Sequence, residues 1–191
     1  MNDNPLIKLE AFGQSIWMDF IQRGMIASGQ LKQLIEEDGL CGVTSNPSIF
    51  EKAIAESHDY DEAIRALALE GKSVDQIYAA LTVEDIQRTA DLFRPVYDRL
   101  NGADGFVSLE VSPYLAHDAA ATIADARRLW AAVARPNAMI KEPSKDYRLF
   151  SSSSARESTS TLLCFSDCPG IGTWLRPTSR VSRLWPLKAN R

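Results

Sequence analysis

The first 141 residues of this chain contain four short apolar segments that are separated by longer stretches with helical patterns. The segments are SIWMDFI at 15–21, LCGVTSNPS at 40–48, GFVSLEVS at 105–112 and NAMIK at 137–141. Nearly continuous apolar runs are typical of strands buried on both faces, and the helical stretches between them supply the crossovers that parallel strands need. The alternation therefore predicts an α/β fold, a parallel sheet covered by helices.

Local signals predict where the helices begin. Pro47 suits the first position of a helix, because the amide hydrogen that proline lacks would have no partner there. A long helical region at 59–100 has two candidate starts, Ser73 and Thr82, each followed three residues later by a side chain that could complete a capping box. Asp118 can cap the alanine-rich helix that precedes the fourth strand.

Each predicted strand ends in a polar side chain. The four ends are Asp19, the turn from Thr44 to Asn46, Glu110 and Lys141. The carboxyl ends of parallel strands lie at one edge of the sheet, and active sites of parallel α/β folds assemble at that edge. We therefore predict one site that contains Asp19, Thr44, Asn46, Glu110 and Lys141.

An amine and two carboxylates in one site suit carbonyl chemistry. An amine in a low-dielectric environment loses its proton more readily, which is the condition for Lys141 to attack a carbonyl and form a Schiff base. Asp19 and Glu110 could move protons to and from the reacting groups. Asn46 could hold a substrate hydroxyl, and Thr44 could help to orient it.

Ordinary structural explanations exist for the same residues and stay open at this point. A lysine at a strand end commonly extends its amine into solvent, and Asp19 or Glu110 could serve in a salt bridge. The sequence T-S-N-P that includes Thr44 and Asn46 is also typical of a turn leading into a helix.

Charge and cysteine content limit the partners and the compartment. Residues 1–141 hold 13 basic and 21 acidic residues, and this acidic balance argues against nucleic acid as a partner. No apolar run approaches the roughly 20 residues of a membrane span, and the first residues lack a signal-peptide pattern, which predicts a cytoplasmic location without membrane association. Three cysteines and two histidines provide neither a disulfide framework nor a metal site.

Four motifs in this order resemble one family: S15-I-W-M-D-F-I, G42-V-T-S-N-P-S-I-F, F106-V-S-L-E-V-S-P and N137-A-M-I-K. The chain resembles the bacterial transaldolases, in particular the longer form that sometimes occurs fused to a glucose-6-phosphate isomerase. The resemblance implies a (β/α)8 TIM barrel of the class I aldolases. Such a barrel needs roughly 250 residues, so residues 1–141 are expected to form about its first four βα units.

The resemblance also implies an activity and a role for each site residue. The family moves a dihydroxyacetone unit between sugar phosphates in the pentose phosphate pathway, with sedoheptulose 7-phosphate and fructose 6-phosphate as donors. Lys141 matches the Schiff-base lysine, Asp19 the proton-transfer acid, and Glu110 the residue that activates water. Asn46 and Thr44 match positions that bind substrate hydroxyls. No metal or organic cofactor is implied, because the protonated imine is the electron sink.

The resemblance stops after Lys141. Residues 142–191 contain four consecutive serines and hold 8 basic against 4 acidic residues, and they show no strand–helix alternation. Permitted codons for residues 148–165, read from the old third base, can encode AIQQLISEGINVNVTLLF, a helix, a glycine stop and a strand. A shifted reading frame would explain the change, so we expect a disordered, non-homologous tail and very low or no turnover.

Two alternatives accompany the transaldolase interpretation. One is another lysine aldolase of the same barrel class. The other is a non-catalytic, truncated remnant or binding module whose basic tail contacts an acidic partner. The basic residues that would make this contact are Arg176, Arg180, Arg183, Lys188 and Arg191. The sequence leaves the oligomeric state open.

Overall fold

A computed structural model describes residues 4–141 and the pair 162–163 of the chain. Four parallel strands lie side by side in sequence order, which confirms the predicted α/β architecture. Their bounds are β1 Ile16–Met18, β2 Leu40–Val43, β3 Val107–Glu110 and β4 Ala138–Lys141. A two-residue strand, β5 Leu162–Leu163, pairs antiparallel with the last two residues of β4.

The β5 pairing differs from the expectation of a tail without strands. Leu163 lies opposite Ile140 and Leu162 lies opposite Lys141, so the backbone of β4 is paired on both sides at its carboxyl end. The rest of 142–191, including the expected disorder and the basic residues, lies outside the described residues. The division of the chain after Lys141 therefore stays a prediction.

Seven α-helices and two 3-10 turns fill the described connections. The α-helices are α1 Pro5–Lys8, α2 Arg23–Ala27, α3 Gln30–Asp38, α4 Pro47–Ala55, α5 Asp61–Leu69, α6 Val74–Arg99 and α7 Ala119–Val133, and the turns are Leu9–Phe12 and Pro113–Leu115. No helix within 4–141 is long and apolar enough to cross a membrane. The sequence patterns predict neither α1 nor α2, and they predict α5 and α6 only as parts of one helical region, 59–100.

The predicted helix starts are confirmed at three of four positions. Pro47 is the first residue of α4, Asp118 caps α7 by accepting from the Ala121 amide at 2.9 Å, and Ser73 forms a capping box with Gln76. The prediction that Thr82 begins a helix is wrong. Thr82 lies inside α6, and its hydroxyl donates 3.0 Å to the carbonyl of the residue four positions earlier, which is the alternative that a mid-helix threonine uses.

The main core lies between the sheet and helices α6 and α7. Apolar side chains of β2, β3 and β4 pack against the middle of α6 and the inner face of α7. The fully buried members include Val43, Val107, Val111, Ile140, Ile86, Phe93 and Val133. This packing fixes the sheet from one side and sets the position of the strand ends that carry the predicted site.

A buried polar network joins α2 to α6. The Arg23 guanidinium donates to Asp85 at 2.9 Å and to Glu84 at 2.7 Å, and it lies 4.7 Å from the centre of the Tyr60 ring. The Tyr60 hydroxyl donates to the other oxygen of Asp85 at 2.8 Å. Burial lowers the pKa of Arg23, but the two carboxylates outweigh it and raise the pKa, so the guanidinium stays charged.

Candidate active site

Lys141 and Glu110 form the centre of the predicted site. They are the last residues of β4 and β3 and stand in register, and residues in register on neighbouring strands point to the same face. The Lys141 Nζ lies 3.4 Å from Glu110 Oε1, and each side chain is only about one fifth exposed, at 22% and 21%. The structure therefore brings these two predicted residues into a half-buried ion pair.

Asp19 and Thr44 make a second contact at the same edge. They are the residues immediately after β1 and β2, and the Thr44 hydroxyl donates to the Asp19 carboxylate at 2.5 Å. The Thr44 amide continues the strand ladder by donating to the Met18 carbonyl at 2.9 Å. The four strand ends thus supply two side-chain pairs along one edge of the sheet.

Electrostatic coupling connects the two pairs. Burial raises the pKa of Glu110, and the negative charge of Asp19 raises it further, while the Lys141 ammonium lowers it. The net change is upward, so Glu110 holds a proton more readily than a carboxyl group in water does. A raised pKa favours the protonated form of the carboxyl group, which is the form that can donate a proton.

Tyr78 is a neighbour that sequence reasoning missed. Burial raises its pKa to about 12, with further contributions from the charges of Glu110 and Glu51. Its ring also packs edge-on against Phe50, with ring centres 6.4 Å apart. Nothing in the local sequence of α6 marks this tyrosine, because its position depends on how α6 packs over the strand ends.

Asn46 caps a helix, in addition to its predicted role in binding substrate. Its backbone is extended, with φ −147°, and its side-chain oxygen accepts from the Ile49 amide at 2.9 Å, which caps α4. The turn explanation of T-S-N-P is therefore correct for this oxygen. The side-chain NH2 takes no part in the cap, so it is the group that could donate to a substrate hydroxyl.

The two roles of Asn46 can be separated by mutation. Asn46→Ala should lower the free energy of unfolding by about 1 kcal/mol, because the cap is lost. Asn46→Asp keeps the capping oxygen and should stay within a few tenths of a kcal/mol of the parent chain. Urea unfolding followed by circular dichroism measures both, and Ser73→Ala at the start of α6 is the matched cap control. Equal losses in the alanine and aspartate variants would contradict the cap assignment.

The position of β1 depends on a close contact with β2. A side chain at Gly42 would place its Cβ 2.5 Å from the Trp17 ring, so only glycine leaves room for the indole there. The indole NH donates to Asp104 at 3.1 Å, and the Ser15 hydroxyl donates to the same carboxylate. These contacts hold the strand that ends at Asp19.

The described residues bring together no set of three His, Cys, Asp or Glu side chains with metal-binding geometry. The predicted site in this part of the chain consists of one amine, two carboxylates, a hydroxyl and an amide. With four parallel strands and their helices, it defines the carboxyl-end site of a partial β/α barrel.

Comparison with known proteins identifies the family. The sequence model for transaldolase/fructose-6-phosphate aldolase matches residues 16–147. The transaldolase of Saccharopolyspora erythraea is 52% identical over 141 residues, covering 74% of this chain and 38% of the relative. Transaldolase 2 of Nostoc sp. and the transaldolase of Thermobifida fusca are each 49% identical over 140 residues, covering 73% of this chain and 37% and 38% of the relatives.

The chain belongs to the transaldolase/fructose-6-phosphate aldolase family. This confirms the resemblance to transaldolases and the predicted TIM-barrel class, of which the described residues form four parallel strands and their helices. The likeness to the longer form that occurs fused to an isomerase remains a prediction. The chain spans less than two fifths of the length of the relatives it matches. The roles predicted for Lys141, Asp19, Glu110, Asn46 and Thr44 remain predictions.

Proposed function

We propose that this chain carries transaldolase chemistry, in which Lys141 forms a Schiff base with the carbonyl of a sugar phosphate. The observation that supports this most directly is the half-buried contact between Lys141 and Glu110 at the carboxyl edge of the sheet, 3.4 Å apart. The family and its relatives named transaldolase support the same reaction.

In the proposed reaction Lys141 is the nucleophile, and Glu110 and Asp19 transfer protons. Glu110 first takes a proton from the Lys141 ammonium, 3.4 Å away, and the neutral amine then attacks the ketose carbonyl. Glu110 returns that proton to the carbinolamine hydroxyl, which leaves as water and gives the protonated imine. Asp19 then takes the proton of the hydroxyl next to the bond being cleaved. That bond breaks, an aldose phosphate leaves, and the electron pair stays on the three-carbon enamine. The enamine then adds to the carbonyl of an acceptor aldehyde, which reverses the cleavage step. Water hydrolyses the resulting imine and releases the product ketose.

Thr44 and Asn46 complete the proposed site. The Thr44 hydroxyl already contacts Asp19, so it can hold that carboxylate in the orientation that proton transfer requires. The Asn46 NH2 would donate to a hydroxyl of the three-carbon unit. The proposed donors are sedoheptulose 7-phosphate and fructose 6-phosphate, as in the pentose phosphate pathway, and the acceptors are glyceraldehyde 3-phosphate and erythrose 4-phosphate.

Trapping of the imine tests the proposal. The 191-residue chain is incubated with fructose 6-phosphate and sodium borohydride, and the modified peptide is mapped by mass spectrometry. We expect the adduct on Lys141, and no adduct there in a Lys141→Arg variant. Lys32, which is 61% exposed and lies on α3, is the internal control for non-specific modification. Equal labelling of Lys32 and Lys141, or no labelling of either, would contradict the proposal.

Turnover by the 191-residue chain is expected to be very low even if the imine forms. The resemblance to transaldolases implies a phosphate-binding arginine and serine on later strands of the barrel, and no residue of 142–191 matches them. Purified chain that transfers dihydroxyacetone at a rate typical of complete transaldolases would contradict this expectation.

The description of the family itself favours a second candidate, a fructose-6-phosphate aldolase. An aldolase releases free dihydroxyacetone as well as glyceraldehyde 3-phosphate from fructose 6-phosphate without an acceptor, whereas a transaldolase holds the three-carbon unit on the lysine until an acceptor arrives. Product release measured with and without erythrose 4-phosphate separates the two activities.

The partners and location are proposed from the charge of the chain and from its family. The acidic residues 1–141 favour a metabolite-binding protein over a nucleic-acid-binding one, and the family favours a cytoplasmic location. A non-catalytic role for the basic tail would show itself as salt-dependent retention of the chain on an anionic resin. Retention that is insensitive to salt, or absent, would count against that role.

A further inference from the structure

Two fully buried serines connect the segment after β2 to β3, next to residues of the proposed site. The Ser45 hydroxyl donates to the Ser108 carbonyl at 2.5 Å, and the Ser45 amide donates to the Ser108 hydroxyl at 3.3 Å. Both residues have 0% exposure. These two bonds, both donated by Ser45 and accepted by Ser108, are called the serine clasp below.

The serine clasp replaces a backbone bond of the sheet. Hydrogen bonds of a parallel ladder recur every second residue along each strand. The Val43 amide donates to the Phe106 carbonyl at 3.1 Å, so the next bond of a regular ladder would run from the Ser45 amide to the Ser108 carbonyl. In the structure the two hydroxyl groups occupy that place instead. The strands can thus separate at this level and remain hydrogen-bonded.

This separation occurs where the proposed site begins. The ladder between β2 and β3 contains one pair in register, Val43 with Val107, whereas β3 and β4 share four. Past Val43 the chain turns into α4, and the clasp residue Ser45 is the residue between Thr44 and Asn46. On the other strand, Ser108 lies two residues before Glu110 and therefore on the same face.

We propose that the serine clasp is a positioning element that sets Thr44 and Asn46 relative to Glu110 and Lys141. This inference rests on the proposed function for its catalytic consequence. Lys141 takes its own position from the four-residue register between β3 and β4, so loss of the clasp should leave the amine in place. Loss of the clasp should instead move Thr44 and Asn46, which would hold the substrate hydroxyls.

Two carbonyl probes separate these effects. Fructose 6-phosphate carries hydroxyl groups that Thr44 and Asn46 would hold, whereas acetone forms an imine with Lys141 and has no hydroxyls. In Ser45→Ala and Ser108→Ala, we expect trapping of fructose 6-phosphate at low concentration to slow by roughly tenfold or more, because small displacements of positioned groups are costly. Trapping of acetone should change less than about twofold, and Ser108→Thr, which keeps the hydroxyl, should recover part of the loss.

Hydrogen exchange gives a readout that does not need the sugar. The amides of the segment 43–48, in which Pro47 has no amide hydrogen, should exchange faster in Ser108→Ala than in the parent chain. The control is Thr82→Val, which removes a buried hydroxyl bonded to a backbone carbonyl inside α6. It should leave both the exchange of 43–48 and the ratio of the two trapping rates unchanged.

The outcomes distinguish failure of the clasp from failure of the proposed function. Unchanged exchange of 43–48 in both alanine variants overturns the clasp, and so does an equal loss of trapping with the two probes. If the parent chain gives no adduct on Lys141 with fructose 6-phosphate, the proposed function fails. Exchange then decides alone whether the clasp holds the segment: faster exchange supports it, and unchanged exchange overturns it.

Discussion

Asp85→Ala is expected to lower the free energy of unfolding by about 3–5 kcal/mol, because it leaves the buried Arg23 guanidinium without its main partner. Asp85 has no exposed surface and accepts hydrogen bonds from Arg23 and from the Tyr60 hydroxyl. The variant removes the carboxylate that both groups donate to. The Arg23 charge and the Tyr60 hydroxyl then stay in the interior without that acceptor. Removing one partner of a buried pair costs far more than the pair itself contributes.

A surface pair on the same helix is the matched control. Arg94 and Asp98 form a salt bridge at 2.8 Å with both side chains about half exposed. Asp98→Ala should lower the free energy of unfolding by only about 0.3–0.5 kcal/mol. Urea unfolding of the three chains, followed by tryptophan fluorescence, measures the difference. If Asp85→Ala costs no more than Asp98→Ala, the buried network does not stabilise this fold.

The network also bears on the site. Arg23 begins α2 only four residues after Asp19, so the bonds to Asp85 attach the segment that follows β1 to helix α6. The Arg23 amide is held as well, because it donates to the Tyr60 hydroxyl at 3.2 Å. Loss of Asp85 is thus expected to loosen the end of β1, where Asp19 contacts Thr44.

The strand ends could be predicted from the sequence because their geometry follows from a local rule. Once four apolar segments are assigned to a parallel sheet, their final residues must lie at one edge. The Lys141–Glu110 contact and the Asp19–Thr44 contact are consequences of that rule. No knowledge of the helix packing was needed to expect these residues at one edge, but the pairing of Lys141 with Glu110 and of Asp19 with Thr44 was not itself predicted.

Contacts between distant helices could not be predicted in the same way. The network of Arg23, Tyr60 and Asp85 joins residues that are 25 to 62 positions apart, and nothing local to any of them marks a partner. Thr82 shows the reverse error. A threonine before an acidic residue looks like a helix start, but the capping box at Ser73 begins α6 and extends it past Thr82, so the threonine bonds within the helix.

The serine clasp lies between these cases. Ser45 and Ser108 each stand in a predicted strand or turn, yet a serine inside an apolar run has no distinct sequence signal. Their pairing depends on the register between β2 and β3, which only the assembled sheet defines. A buried hydroxyl next to a predicted site residue is the feature that could have drawn attention to them.

Gly105→Ala is expected to lower the free energy of unfolding by about 3 kcal/mol or more. Gly105 has φ +88°, and its added Cβ would lie 2.4 Å from the Tyr97 amide nitrogen and 2.7 Å from the Tyr97 Cα. These atoms belong to the backbone of α6 and cannot rotate away. Left-handed backbone costs an alanine about 1–2 kcal/mol, and overpacking typically adds about 1–3 kcal/mol.

Gly29→Ala separates the two causes, because Gly29 has φ +82° and no atom within 4 Å of the added Cβ. It should show the conformational cost alone, about 1–2 kcal/mol, and the difference between the variants then measures the close approach of β3 to α6. Gly105 precedes β3, which ends at Glu110, so a displaced β3 should also reduce borohydride trapping at Lys141, whereas Gly29→Ala should not. Equal destabilisation by the two alanines would mean that α6 moves to accommodate the methyl group, and that the glycine is required only for its φ.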